Sequence, residues 1–240
     1  MAFEFIDPRS TPRTELRSRG ELPHLYKEGG SYFVTFRLLD AVEMKRKKCS
    51  QDGCTTIETE EHSCGAGFQP ASLGSQADGA TTPQKKHRLN PKREAVLIAQ
   101  ETEPPLRLGS CALARAEIAK LVQRALRHFH DQRYYLSAWC VMPNHVHVVV
   151  TPTDDWELSA ILHSWKSFTA NEANKILKRE GAFWERESFD HLIRTFAHFE
   201  AFVHYVENNP VEARLCQAPE DWPWSSAPLR KNAAGTAAPQ

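Results

Sequence analysis

Two short runs of strand-forming residues, separated by a three-residue break, constrain the fold of this chain more than any other feature. Tyr134 to Val141 and His145 to Thr151 are rich in aromatic and β-branched residues, and Met142-Pro143-Asn144 interrupts them. Residues of these types favour strands, and a proline-containing break favours a turn. The sequence therefore predicts an antiparallel pair of strands at this point.

Helical and extended patterns alternate on both sides of this pair. The predicted helices span residues 112–130, 158–178 and 196–208, and the other predicted strands span residues 31–39 and, as a short strand or extended segment, 183–194. Pro210 is expected to stop the last helix. This order predicts an α+β fold, in which an antiparallel sheet carries its helices on one side in a ferredoxin-like or RRM-like arrangement.

Changes in composition divide the chain into four parts. Residues 1–28 are polar and rich in arginine and are predicted to form an N-terminal arm, and residues 29–228 form the main domain. A stretch from about 45 to 92 is rich in Gly, Ser, Thr, Gln and Pro and lacks periodic apolar residues. Such a segment buries too little apolar surface to become ordered, so we predict a disordered insertion. Residues 229–240 are predicted to be a flexible tail.

Composition excludes several classes of protein. No run of 18 apolar residues occurs, and Met1 to Arg19 lacks the apolar core of a secretory signal, so we expect a cytoplasmic protein without membrane contact. The six cysteines form no CxxC pair, which argues against a disulfide scaffold or a zinc ribbon. The formal net charge is +0, which counts mildly against a nucleic-acid partner but does not exclude one, because the charges that contact a nucleic acid can be local.

The His145-Val146-His147 run is the main candidate for a functional site. Residues two apart on a strand point to the same face, so both imidazoles project together while Val146 points to the other face. Two convergent imidazoles can share one divalent cation. Without further support, two surface histidines on a strand remain the alternative.

The third predicted helix adds two polar groups at helical spacing. Tyr205 and Asn209 are four residues apart, which places them on one face of the helix. The Asn209 amide oxygen suits a hard cation such as Mg²⁺ or Mn²⁺, and the Tyr205 phenol can act as a covalent nucleophile. Because Asn209 precedes Pro210, the helix is expected to be distorted there. A core aromatic is the alternative for Tyr205.

Several motifs follow one another in a fixed order. They are LPH and GGSYFVTFRL near the N-terminus, then WCVMPNHVHVVVTP, SWKSFTANEANKIL, FWERESFDHLIR, YVENNPVEARLC and EDWPWSSA. Together they resemble the REP-associated tyrosine transposases of the single-tyrosine HUH transposase superfamily. The resemblance covers roughly residues 20–40 and 105–228.

The resemblance implies a function and a set of residues. His145 and His147 match the metal-binding HUH pair, Tyr205 matches the nucleophile, and Asn209 matches the residue that completes the metal site. Lys166 falls where the family reads S-[FWL]-K and is a candidate for a phosphate contact, with a solvated helix lysine as the alternative. The implied reaction is a metal-dependent cut in single-stranded DNA at a hairpin, which forms a 5′-phosphotyrosine and allows strand transfer.

Arginines of the predicted arm are candidates for contacts with DNA phosphates or grooves; they include Arg13, Arg17 and Arg19. A solvated tail is the alternative for this segment. The chain departs from the family pattern at Leu192, where relatives often have an aromatic or a polar residue. It also departs at Arg214, where the family usually has a glycine. An arginine there predicts a strained or altered turn.

Three rival functions stay open. A catalytically inactive DNA- or RNA-binding module could use the same fold, and another HUH nuclease could place tyrosines on a helix. An unrelated metal hydrolase would need a carboxylate near the histidines, and Asp154 and Asp155 lie past the end of the strand. The sequence does not distinguish a monomer from a homodimer.

Overall fold

The structure, a computed structural model, describes residues 14–18, 23–27, 29–41, 90–100 and 109–230. The strands are β1 (Thr14–Ser18), β2 (Pro23–Lys27), β3 (Ser31–Arg37), β4 (Tyr134–Val141), β5 (His145–Pro152) and β6 (Phe189–Ile193). The α-helices are α1 (Pro91–Gln100), α2 (Ala116–His128), α3 (Leu158–Leu177) and α4 (Phe196–Glu212). Positions 42–89 and 231–240, which hold most of the predicted insertion and tail, lie outside the described residues.

Four strands form one antiparallel sheet in the order β4-β5-β3-β6, and β1 pairs with β2 in a separate antiparallel sheet. The path β3-α2-β4-β5-α3-β6 with this strand order is the split βαβ arrangement of ferredoxin-like domains. The predicted α+β class, the antiparallel pair β4 and β5, and the ferredoxin-like arrangement are therefore confirmed.

Helices cover both faces of the central strands. On β3, Tyr32, Val34 and Phe36 belong to the core cluster that contains α2 and α3, whereas Phe33 belongs to the cluster that contains α4. The prediction that the helices pack on one side thus holds for α2 and α3 and is corrected for α4. The physical reason is that all eight residues of β5 are buried, and a strand buried on both faces needs cover on both.

The helix α4 does not stop before Pro210, as the sequence predicted, but continues to Glu212. A proline removes one helical hydrogen bond, which is a small loss so close to the C-terminal end. The Asn209 carbonyl still accepts from the Ala213 N–H at 2.9 Å. The backbone around Asn209 is therefore helical, and the expected distortion is absent.

The altered turn predicted at Arg214 is confirmed. Arg214 has a φ of 57°, in the left-handed region that favours glycine. Its N–H donates to the Val211 carbonyl at 2.9 Å, and the Leu215 N–H donates to the Pro210 carbonyl at 2.8 Å. These two bonds form a Schellman motif that closes α4 with an arginine where glycine is usual.

The first helix, α1, begins at the edge of the predicted insertion and was not predicted. Its Ala95 is buried, and Val96 and Ile98 are partly buried in the cluster that contains α4. The Glu94 carboxylate lies 2.9 Å from Nε2 of His198 on α4. The helix thus packs on the outer side of α4.

The remaining helices agree closely with their predicted positions. The predicted 112–130 segment forms a 3-10 turn at Ala112–Ala114 followed by α2, and α3 ends one residue before the predicted end. Within the described ranges, no helix combines the length and the apolar character that crossing a membrane requires.

Candidate metal and nucleophile site

Both predicted histidines lie on one face of β5 and are buried, with His145 1% and His147 0% exposed. Val146 between them belongs to the core cluster on the opposite face. The two Nε2 atoms are 3.0 Å apart. The expectation that the imidazoles project together is therefore confirmed, and the alternative of two surface histidines is excluded.

A second pair of polar residues holds the far side of each imidazole. Asn144 Oδ1 lies 2.8 Å from Nδ1 of His145, and Thr35 Oγ1 lies 2.8 Å from Nδ1 of His147. Thr35 sits directly opposite His147 in the register of β3 and β5. Hydrogen bonds at Nδ1 fix the ring orientation and leave Nε2 as the atom that faces the site.

Neither of these partners is predicted from the sequence. Asn144 lies in the break between the two predicted strands, and Thr35 lies in a strand of mostly apolar residues. The one available signal was that a threonine occupies a buried strand that is otherwise aromatic and aliphatic. Its partner could be known only once the register of β3 against β5 was known.

Helix α4 brings Tyr205 and Asn209 to the histidines. The Tyr205 and His147 ring centroids are 5.6 Å apart, with their planes at 71°. Asn209 Nδ2 donates a 3.2 Å hydrogen bond to the Tyr205 hydroxyl. Both residues are buried. The four residues predicted from the sequence thus lie in one cluster, and the spacing of Tyr205 and Asn209 keeps them on one helical face.

Phe33 on β3 is the packing centre of this cluster. Its ring stacks on His147 with a centroid distance of 5.5 Å and on Phe202 of α4 at 4.7 Å, and it meets Tyr205 edge-on at 6.0 Å. Phe33 is fully buried, so these contacts are shielded from water. Aromatic packing of this kind fixes the position of α4 relative to the histidine strand.

The geometry of the cluster fits a divalent cation. Two ligands at adjacent corners of an octahedron, each about 2.1 Å from the ion, are about 3.0 Å apart, and the two Nε2 atoms have this separation. In the described part of the chain, no group of three or more His, Cys, Asp or Glu side chains is placed to hold a metal ion. A third protein ligand would therefore have to come from another residue type, and an amide such as that of Asn209 would be suitable.

An ion pair flanks the histidines at the end of the sheet. Arg37 lies opposite His145 in the register of β3 and β5. Its Nη2 and Nε atoms lie 2.8 Å and 2.9 Å from Oε2 of Glu185. Residues directly opposite on paired strands are neighbours on the same face. This pair of opposite charges lies beside the cluster, on the side where the sheet ends.

Lys166, predicted to contact a phosphate, is held within the protein. Its Nζ donates to the Arg186 carbonyl at 2.9 Å, the Ser188 hydroxyl at 3.0 Å and the Glu187 carbonyl at 3.3 Å. Burial lowers the pKa of this ammonium to about 8, against the opposing effect of Glu185 and Glu187. Lys166 anchors the segment that leads into β6, and a contact with DNA stays a prediction.

The side chains of the arginines in the N-terminal arm lie outside what the structure describes. Arg17 lies in β1, while Arg13 and Arg19 lie outside the described residues. Their proposed contacts with DNA therefore stay a prediction.

Comparisons with known proteins match the part of the chain that contains this site. Residues 113–209, which contain both histidines, Tyr205 and Asn209, match the family model described as "Transposase IS200 like". A REP-associated tyrosine transposase of Escherichia coli K12 is 25% identical over 118 residues, 47% of this chain and 68% of that protein. A Haemophilus influenzae Rd protein, whose assignment as a REP-associated tyrosine transposase is provisional, is 28% identical over 99 residues.

These matches are partial. The match to the H. influenzae protein covers 37% of this chain and 56% of that protein, so the chain spans little more than half of that relative. A solved structure of a REP-associated tyrosine transposase bound to a REP hairpin shares 16% identity at a TM-score of 0.48, covering 92% of this chain and 89% of that one.

The fold and the site define an α+β domain of the ferredoxin-like class, in which a strand carries two histidines and a following helix carries a tyrosine. The family-model match and the two relatives show which known proteins this chain resembles. They confirm the resemblance to the REP-associated tyrosine transposases that the sequence motifs indicated.

Proposed function

We propose that this chain is a metal-dependent endonuclease and strand transferase of single-stranded DNA, with Tyr205 as its nucleophile. One observation carries the proposal: the Tyr205 hydroxyl is bonded to Asn209 at 3.2 Å, and its ring lies against His147, whose Nε2 faces that of His145. A phenol, an amide and two imidazoles thus converge in one buried cluster. This is the set of groups that a tyrosine attack on a phosphodiester needs.

The reaction follows from the groups in the cluster. The Tyr205 oxygen attacks phosphorus, a bond from that oxygen to phosphorus forms, and the bond from phosphorus to the 3′ oxygen breaks. The phenolic proton is lost and the 3′ oxygen leaves as a hydroxyl, so the products are a 5′-phosphotyrosine and a free 3′ end. Because one phosphoester replaces another, a new 3′-OH can reverse the step without ATP.

Asn209 and the surrounding packing assist this attack. The Asn209 Nδ2 donor holds the Tyr205 oxygen in place and stabilises negative charge as it develops there. Tyr205 is 5% exposed, so little water reaches the ester bond once it has formed. The covalent intermediate is therefore protected from hydrolysis until another strand end enters.

His145, His147 and Asn209 would hold the cation, for which we propose Mg²⁺ or Mn²⁺. The bound ion would supply Lewis-acid polarisation of a non-bridging phosphate oxygen. Neutral imidazoles oriented through Nδ1 and an amide oxygen are ligands that such ions accept.

A DNA hairpin with a single-stranded flank is the proposed substrate. Support comes from the two relatives, whose names associate them with REP elements. Arg37 lies opposite His145 at the end of the sheet, and a DNA phosphate would contact its guanidinium there in competition with the Glu185 carboxylate.

The test is the capture of the covalent intermediate. Purified full-length chain is incubated with labelled hairpin oligonucleotides of DNA, and with RNA hairpins of the same sequence, in Mg²⁺ or Mn²⁺. The products are run on denaturing protein gels. We expect a protein–DNA adduct that chelator and Tyr205→Phe abolish. Tyr135→Phe is the matched control, because Tyr135 is an exposed tyrosine on β4, away from the cluster.

Three results would contradict the proposal. An adduct that persists in Tyr205→Phe would place the nucleophile elsewhere. Cleavage without an adduct would indicate a metal hydrolase. Binding of DNA or RNA hairpins with neither cleavage nor adduct would identify a catalytically inactive binding module.

A further inference from the structure

A carboxylate on α4 is hydrogen-bonded to a segment that follows this helix in the chain. One oxygen of Glu207 accepts a 2.6 Å hydrogen bond from the Ser226 hydroxyl and a 2.7 Å hydrogen bond from Nε of Arg230. The Glu207 side chain is 14% exposed and Ser226 is 4% exposed, so water competes little for the first of these bonds. Two donors from residues 222–230 therefore meet on α4.

The same segment is attached to strand β4. The Trp139 N–H donates to the Ser226 hydroxyl at 3.2 Å, and the Ser226 N–H donates to the Trp139 carbonyl at 3.0 Å. The Arg230 guanidinium donates to the Ser137 carbonyl. Strand β4 pairs in turn with β5, which carries the histidine pair. Glu207 is therefore joined, through residues 222–230, to the sheet that holds the other half of the site.

Glu207 and Phe202 hold α4 at different points around its axis. Phe202 stacks on Phe33 of β3, at a centroid distance of 4.7 Å. Glu207 follows Phe202 by five residues, which corresponds to about 140° around a helix and about 7.5 Å along it. Tyr205 lies between the two in the sequence. The apolar contacts hold α4 against the sheet, and the directional hydrogen bonds of Glu207 limit its rotation about its own axis.

A small rotation of α4 would displace the Tyr205 hydroxyl. This atom of a tyrosine lies about 9 Å from the axis of its helix, so a rotation of about 10° moves it by roughly 1.5 Å. Asn209 lies on the same helix and moves with Tyr205. The displacement is therefore relative to His147 on β5, whose ring centroid lies 5.6 Å from that of Tyr205. A misplacement of about 1 Å can slow a reaction by about 100-fold.

We propose that Glu207 is a positioning residue for the attack by Tyr205. Its carboxylate, held by Ser226 and Arg230, fixes the rotation of α4 relative to the histidine strand. It thereby sets the distance from the Tyr205 hydroxyl to the phosphate that is attacked. Glu207 acts through the helix and needs no contact with DNA. This inference rests on the proposed function, because the tyrosine attack is proposed there.

The first experiment separates the rate of adduct formation from the affinity for DNA. The full chain, in excess and with Mn²⁺, reacts in a single turnover with a labelled hairpin oligonucleotide that forms an adduct with the wild type. The dissociation constant for the same oligonucleotide is measured by fluorescence anisotropy in chelator. We expect Glu207→Ala to lower the rate at saturating protein by about 10- to 100-fold. The dissociation constant should change by less than about twofold, because the lost interaction assists only the transition state.

Two further variants show whether the carboxylate acts by position. Glu207→Gln keeps an acceptor oxygen for both donors, so its rate should stay within about fivefold of the wild type. Glu212→Ala is the matched control, because Glu212 is also on α4 and its carboxylate accepts a hydrogen bond from Asn208 of the same helix. Its rate should equal that of the wild type. A Glu207→Gln variant as slow as Glu207→Ala would assign the carboxylate to the chemistry and overturn the positioning role.

The second experiment tests the route through residues 222–230. Ser226→Ala removes one of the two donors and should lower the rate by less than Glu207→Ala does. The double variant, Glu207→Ala with Ser226→Ala, should be no slower than Glu207→Ala alone, because both changes interrupt one connection. Losses that multiply in the double variant would show that the two residues act separately, against the inference.

The outcomes distinguish this inference from the proposed function. A wild-type chain that forms no adduct overturns the proposed function and this inference with it. A wild-type adduct that Glu207→Ala forms at an unchanged rate overturns the inference alone. All rates are compared at a temperature at which circular dichroism shows each variant to be folded. If Glu207→Ala does not fold, Arg230→Gln takes its place, since Arg230 is half exposed; its rate should also fall, and an unchanged rate overturns the inference.

Discussion

Replacing Arg214 with glycine should stabilise the protein. Arg214 closes α4 in the left-handed region, with a φ of 57°, and its N–H makes one of the two bonds of the Schellman motif. Its side chain is exposed, so its removal sacrifices little packing. The substitution therefore tests the backbone strain and little else.

The size of the effect follows from two opposing terms. A residue with a Cβ in the left-handed region costs about 1–2 kcal/mol relative to the right-handed region, and glycine avoids that cost. Glycine also gains freedom in the unfolded chain, which opposes folding by about 0.5–1 kcal/mol. We expect a net increase in the free energy of unfolding of about 0.5–1 kcal/mol, or roughly 1–4 °C in Tm.

The assay is urea denaturation of the full chain, followed by circular dichroism and supported by thermal melts. Arg214→Ala is the matched control, because it removes the side chain and keeps the Cβ. It should leave the free energy of unfolding nearly unchanged. Lys178→Gly repeats the test at the end of α3, where φ is 51°. Equal stability of the Arg214→Gly and Arg214→Ala variants would refute the assignment of strain to the left-handed backbone.

Two further predictions concern basic side chains whose pKa is lowered by burial. Burial, with Arg194 and His198 nearby, lowers the pKa of His191 to about 4 against the pull of Glu94; the folded state should therefore lose up to about 3 kcal/mol as the pH falls from 6.5 toward 4. In acid titrations of stability, His191→Phe should flatten this dependence, and an unchanged slope would exclude His191 as its source. Lys166→Met should destabilise the fold by about 0.5–1.5 kcal/mol, because it removes the donor of the partly buried Glu187 carbonyl and Ser188 hydroxyl. A fall of about one in the salt slope of DNA binding would instead support the phosphate contact.

The order of the main elements could be predicted because their patterns are local. β4 and β5 are dense in aromatic and β-branched residues, and α2 and α3 repeat apolar residues over several turns. The path βαββαβ, and with it the ferredoxin-like sheet, follows from that order. The histidine pair and the spacing of Tyr205 and Asn209 are equally local, and both survive in the structure.

Features that depend on tertiary contacts could not be read from local patterns. The position of α4 on the opposite face arises because β5 is buried on both sides, which an apolar run does not reveal. The continuation of α4 through Pro210 depends on how its last turn closes. The role of Thr35 depends on the strand register. The helix α1 has only a narrow apolar stripe. The stripe is buried because it packs against α4, and the local sequence does not show that contact.

Phe33 packs between His147 and α4, and it thereby joins two parts of the site that come from separate elements of the fold. The histidine pair and its supports belong to the sheet, while Tyr205 and Asn209 arrive on a helix added after the last strand. The two parts contact each other through aromatic rings. These contacts do not depend on how many residues separate the two parts in the sequence. Loops between β5 and α4 can therefore change in length while the site stays intact, and the loss of one helix would leave a chain with its histidine pair but without a nucleophile.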